Sequence, residues 1–87
     1  MGNKDLSGTV KVNVKIEKDR LVKDILLNVK ELMNEKGYNP VNQIVGYIMS
    51  GDPTYITSYK DARNLLTKID RDELLEEIIQ FYYENNK

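Results

Sequence analysis

Hydrophobic positions along the chain keep two different periods, and the change from one to the other divides the sequence. Over residues 9–16, TVKVNVKI, the side chains of Val10, Val12, Val14 and Ile16 alternate with Lys11, Asn13 and Lys15. That is the period of a half-buried strand rich in β-branched residues. No second convincing strand follows. A lone strand stays mobile, pairs with its copy in a partner subunit, or adds to another protein's sheet edge. Residues 1–19 are therefore expected as an extended, flexible segment and residues 20–87 as a helical domain.

From about Leu21 the spacing becomes three and four. Leu21, Val22, Ile25, Leu26, Val29, Leu32 and Met33 recur opposite Lys23, Asp24, Asn28, Lys30 and Glu31, which predicts an amphipathic helix. Gly37 is placed to end it as a left-handed cap. Asn39 is a good N-cap and Pro40 suits a first helical position, where its missing N–H costs nothing. Val41, Ile44, Val45, Ile48 and Met49 form the apolar stripe of a second helix that Gly51 and Asp52-Pro53 end. Gly46 lies inside it at a cost of about 1 kcal/mol relative to Ala, and a glycine tolerated there implies a close approach by another backbone. A tight helix crossing is expected at Gly46. Ser58-Tyr59-Lys60-Asp61 reads as a variant capping box opening a third helix, with Ala62, Leu65, Leu66 and Ile69 inward. Asp70 with Glu73 repeats the signal before a last helix whose apolar side is Leu74, Leu75, Ile78, Ile79, Phe81 and Tyr82. The pattern as a whole predicts an all-α protein, a compact bundle of about four helices behind an extended N-terminal segment with a candidate strand at residues 9–16.

Composition narrows what such a bundle does. A chain of 87 residues holds one domain and buries only about 60–65% of its unfolded surface, so oligomerisation is expected to support it. Thirteen basic against fourteen acidic residues leave a net charge of −1, which gives nucleic acid and anionic lipid little to attract. Cysteine is absent, which rules out a disulfide framework and a thiol nucleophile and fits a reducing cytosol. No apolar run approaches the roughly 20 residues of a membrane span, and the first residues lack the apolar region of a signal peptide. The expectation is a cytoplasmic protein without a membrane segment.

Candidate chemistry is sparse. Histidine, the usual acid–base group near neutral pH, is absent. The carboxylates fall in helix first turns (Asp72, Glu73) or on helix faces (Asp24, Glu31, Glu76, Glu77), where capping and solvation account for them, and none has calcium-loop spacing. No catalytic residue, metal site or cofactor is expected. Lys60, Arg63, Lys68 and Arg71 lie within twelve residues; they form either an ordinary solvated surface or a patch that docks an anion such as a phosphate. Six tyrosines against one phenylalanine suit a core edge first and a partner surface as the alternative. A small helix-turn-helix-like DNA-binding regulator is the alternative reading. The helix that would read bases, residues 58–69, carries few side chains suited to that task.

The texts KGYNPVNQIVGYIMSGDPTYI, YKDARN and RDELLEEII resemble the IreB/ReoM family of small regulatory phosphoproteins of Gram-positive bacteria. The resemblance covers roughly residues 21–83 and is weaker at the N-terminus. It implies an all-helical homodimer whose flexible N-terminal segment carries a threonine, phosphorylated by a membrane-bound PASTA-type Ser/Thr kinase and dephosphorylated by a partner phosphatase. Such a protein is expected to be a non-enzymatic regulator that tunes peptidoglycan synthesis and cell-wall antibiotic tolerance, in one branch through Clp-dependent proteolysis of a pathway enzyme. Its further partner is then a protease adaptor or a regulator of cell-wall synthesis. The family threonine best matches Thr9, with Val12 where relatives carry an aromatic residue, and Ser7 is a competitor. Arg63 and Arg71 match basic positions of the family, while Ser58 and Thr67 stand where relatives tend to carry arginine. The stripe Val41, Ile44, Val45, Ile48 and Met49 is then expected in the dimer core, with Gly46 at the crossing.

Overall fold

A computed structural model describes the backbone of residues 2–86 and the side chains of residues 18–86. Four helices run in chain order: α1 Gly2–Lys36, α2 Pro40–Ser50, α3 Ala62–Leu66 and α4 Arg71–Glu84, with short 3-10 turns Pro53–Tyr55 and Tyr59–Asp61 between α2 and α3. The described residues contain no strand. The alternating run 9–16 is thus corrected: it lies within α1, and the boundary expected near residue 19 falls inside the same helix. The physical reason is partnership. A helix satisfies its backbone hydrogen bonds within one segment, whereas a single strand leaves both edges without a ladder.

The core forms where α1 meets α3 and the start of α4. Val22, Ile25, Val29 and Met33 come from one stripe of α1; Ile56, Ala62, Leu66, Ile69 and Leu74 close over it, and Tyr47 joins from α2. Of these, Val29, Met33, Ile56, Ala62, Leu66 and Leu74 are wholly buried. The stripe on α1 follows the predicted spacing, although Leu21 and Leu27 stay exposed. The middle of α1 and the first half of α4 run in the same direction: Lys18 pairs with Glu73, and one helical turn further Lys23 meets Glu77 at 3.8 Å.

The junction between α1 and α2 matches its reading closely. Gly37 is left-handed with φ 87°, its N–H bonds Asn34 O at 3.1 Å, and the Tyr38 N–H bonds Met33 O at 2.8 Å, the paired bonds of a Schellman cap. The Asn39 side chain accepts from the Asn42 N–H at 3.1 Å, with Pro40 opening α2. The junction before α3 does not match. Ser58 makes no side-chain cap, Lys60 and Asp61 are both left-handed (φ 46° and 69°), and α3 starts only at Ala62. Asp70 does occupy the N-cap position of α4, but without a side-chain bond to the helix.

Candidate functional site

Residues 39–57 build one tightly referenced unit around α2. After the helix, Gly51 turns left-handed (φ 75°) and returns its N–H to Tyr47 O at 2.8 Å. The Ser50 hydroxyl donates to Gly46 O at 2.7 Å and accepts from the Asp52 N–H at 3.0 Å. Asp52 in turn accepts from both the N–H and the hydroxyl of Thr54, at 3.0 and 2.7 Å. Those bonds, the hydroxyl's first, hold the Asp52 carboxyl below the usual carboxylate range, with a smaller contribution from the nearby Arg63 charge. The Thr57 N–H reaches back to the Gln43 side-chain oxygen at 3.0 Å, so the loop is stapled to α2.

Gly46 has the close neighbour its position implied, but the neighbour is different. The ring of Tyr55 lies so near that a Cβ on Gly46 would stand 2.3 Å from Tyr55 Cδ1. Within the chain, a ring from the following loop occupies the place where a crossing helix was expected. A glycine inside a helix followed by an aromatic residue just past the next turn is the signal that could have shown this.

The four basic candidates are separated by their roles. The Arg63 Nε donates to Ile56 O at 2.8 Å in a half-buried setting, which fixes the loop onto α3. The Arg71 Nη1 donates to Ile48 O at 3.0 Å, and its guanidinium covers Gly51, whose missing Cβ leaves the room for it. Lys60 pairs with Glu35 at 2.8 Å, and Lys68 is exposed. The spacings that would set Lys60 beside Arg63 and Lys68 beside Arg71 on helical faces do not apply, because Lys60 is left-handed and a turn intervenes between Lys68 and α4. Arg71 borders an open cavity of about 460 Å³ with Ile48, Asp70, Asp72 and Leu75. Two carboxylate residues line the same opening, which lowers the pull of this surface on an anion.

Hydrophobic surface is the other feature of the site. The α2 stripe is not buried within one chain: Ile44 and Ile48 are half-buried, while Val41, Val45 and Met49 are 69%, 52% and 79% exposed. The residue of α2 that enters the core is Tyr47. On α4 only Leu74 is buried, and Leu75, Ile78, Ile79, Phe81 and Tyr82 face outward. Of the six tyrosines, Tyr47 is core, Tyr59 is half-buried, and Tyr38, Tyr55, Tyr82 and Tyr83 are exposed. Single exposed hydrophobes are ordinary, but here large apolar side chains of both α2 and α4 stand outward. Ser7 and Thr9 fall outside the residues whose side chains are described; their backbone belongs to α1.

Among the described residues no group of acidic side chains is arranged to hold a metal ion, and no helix is long and apolar enough to cross a membrane. A family model described as IreB regulatory phosphoprotein matches residues 7–84. A UPF0297 protein of Ruminiclostridium cellulolyticum is 53% identical over 81 residues, covering 93% of this chain and 92% of that protein. A UPF0297 protein of Acetivibrio thermocellus is 55% identical over 76 residues, 87% and 84% of the two chains. One of Lachnoclostridium phytofermentans is 50% identical over 82 residues, 94% and 93%.

Proposed function

The chain belongs to the IreB regulatory phosphoprotein family, and from that premise we propose that it is a cytoplasmic, non-enzymatic homodimer whose N-terminal hydroxyl is the substrate of a PASTA-type Ser/Thr kinase. The observation that carries this reading is the extent of the family match, which begins at residue 7 and so takes in both Ser7 and Thr9. Thr9 is the preferred acceptor. Its phosphate adds about −1.5 to −2 charges beside Lys11 and Lys15 in sequence. That charge either docks on remaining donors of Arg63 or Arg71, or changes what the N-terminal part of α1 pairs with. A cognate phosphatase resets it.

The platform for this switch is the helical body. The outward stripe of α2, Val41, Val45 and Met49, together with the outward side of α4, supports self-association, since a second copy would cover apolar area that one chain leaves in water. Downstream, the proposed output is control of peptidoglycan synthesis and cell-wall antibiotic tolerance through regulated proteolysis of a pathway enzyme, with a protease adaptor as the partner that reads the two forms.

The test is intact mass with peptide mapping after incubation with the catalytic domain of the cognate kinase and ATP. One added phosphate on Thr9, absent in Thr9→Ala, is the expected result. Phosphate on Ser7 alone would move the switch to that residue, and no phosphate on either would remove the proposed function.

A further inference from the structure

The turn before α3 is where local sequence and structure disagree most. Residues 58–61 carry the pattern of a capping box, in which the Ser58 hydroxyl would accept from the Asp61 N–H and the Asp61 carboxylate from the Ser58 N–H, starting a helix after Ser58. The structure instead places Lys60 (φ 46°, ψ 39°) and Asp61 (φ 69°, ψ 17°) in succession in left-handed geometry. Non-glycine residues visit that region at a steric cost and rarely in pairs. Such strain persists only where surrounding contacts over-determine it.

Those contacts converge on one carboxylate. Glu35, in the last turn of α1, accepts from the Tyr59 hydroxyl and from Lys60 Nζ, the latter at 2.8 Å. Lys36 and Lys60 lie over the Tyr59 ring at 5.2 and 5.4 Å from its centre. The hydrogen bonds from Lys60 and Tyr59 hold the Glu35 carboxyl below its usual range, and Glu35 correspondingly raises Lys60. The left-handed form keeps a smaller local set: Asp61 N–H to Ser58 O at 3.1 Å, Ala62 N–H to Tyr59 O, and the Asn64 amide on Asp61 at 2.9 Å.

We propose that residues 58–61 form a two-state turn, latched in its left-handed form by Glu35, and that release of Glu35 lets α3 grow backward by one turn to begin after Ser58. The two states exclude each other. Turning Lys60 from φ 46° to the helical value of about −63° re-aims the side chain that makes the latch. Both states find bonds for the same backbone groups, so the choice rests on a long-range contact 24 residues away in sequence rather than on the turn itself. The natural effector is a cationic side chain of a partner presented to the Glu35 carboxylate, which competes with Lys60 and is met by an exposed group on the surface. Because α3 carries Arg63, whose Nε holds the Ile56 carbonyl, the turn is coupled directly to the loop after α2. This inference stands on the turn alone and does not require phosphorylation.

The experiment reads φ at Lys60 and Asp61 in the full chain by NMR, from one-bond Cα–Hα couplings and intraresidue amide–Hα NOEs, with circular dichroism confirming the fold. Wild type is expected to show positive φ at both residues. Glu35→Ala, an exposed substitution by a good helix former, is expected to lower the ratio of left-handed to helical forms about three- to fivefold and to bring helical medium-range NOEs between Tyr59 and Ala62. In wild type, high salt shifts the population in the same direction, since the latch is an exposed ion pair. An unchanged ratio of the two forms in Glu35→Ala, or right-handed φ already in wild type, would overturn the proposal.

Discussion

Residues 39–57 and helix α4 are nearly equal in their share of apolar side chains, yet they are finished to different degrees. In the first, Asn39, Gln43, Ser50, Asp52 and Thr54 each bond within the unit, and Gly46 and Gly51 are each covered by a side chain. In the second, Leu74 is the single buried residue, the link to α1 runs through Lys18–Glu73 and Lys23–Glu77, and five large hydrophobes between Leu75 and Tyr82 stay outward. Such pairs add little to stability, since solvent and salt screen the exposed lysine charges. The first region is shaped by its own chemistry and the second by whatever packs on it. Residues 39–57 thus fix their own shape while still leaving Val41, Val45 and Met49 outward, whereas α4 leaves most of its apolar side without a cover inside the chain.

The sharpest way to break the contrast is at Ile56, which is wholly buried and whose carbonyl holds Arg63. Ile56→Ala should cost about 2–5 kcal/mol by the usual scale of buried aliphatic truncation, read as a lower urea midpoint. A loss below about 0.5 kcal/mol, the scale of an ordinary surface change, would show that the loop is not anchored there. Next in size is Gly46→Ala, which drives a Cβ into the Tyr55 ring. Overpacking of this kind costs about 1–3 kcal/mol. Because Tyr55 is half exposed, Tyr55→Ala should relieve most of the penalty in the double variant, and additive losses would place the obstruction elsewhere. The smallest effect on stability should come from Val45→Asp, at a position 52% exposed in the single chain. Monomer unfolding should change by no more than about 0.5 kcal/mol, while the proposed self-association, followed by sedimentation, should be lost; unchanged association would move the proposed interface off α2.

The elements that could be read from the sequence are those whose causes are adjacent in it. Gly37, Asn39, Pro40 and Gly51 perform the cap roles their types predict, because a cap is decided within about four residues. The stripe Val22, Ile25, Val29 and Met33 was legible for the same reason. Periodicity identifies a face but not what it faces: within one chain Tyr47 supplies the core contact of α2, and Val41, Val45 and Met49 stand outward. Alternation at residues 9–16 points to a strand only if a second strand exists, and without one the helix prevails. The turn at residues 58–61 was illegible because its arbiter, Glu35, lies on another helix. Arg63 and Arg71 could be recognised as cations, but not as ties to the carbonyls of Ile56 and Ile48.

The continuity of α1 sets a length scale for the proposed switch. Thr9 and Val22, the first core residue among those whose side chains are described, share one uninterrupted axis, and at 1.5 Å per residue they stand about 20 Å apart. Mobile ions at physiological strength damp a charge over about 8 Å. On that axis a phosphate at Thr9 would be electrically remote from the core, which favours, of the two proposed outcomes, a change in what the N-terminal part of α1 pairs with over docking on Arg63 or Arg71.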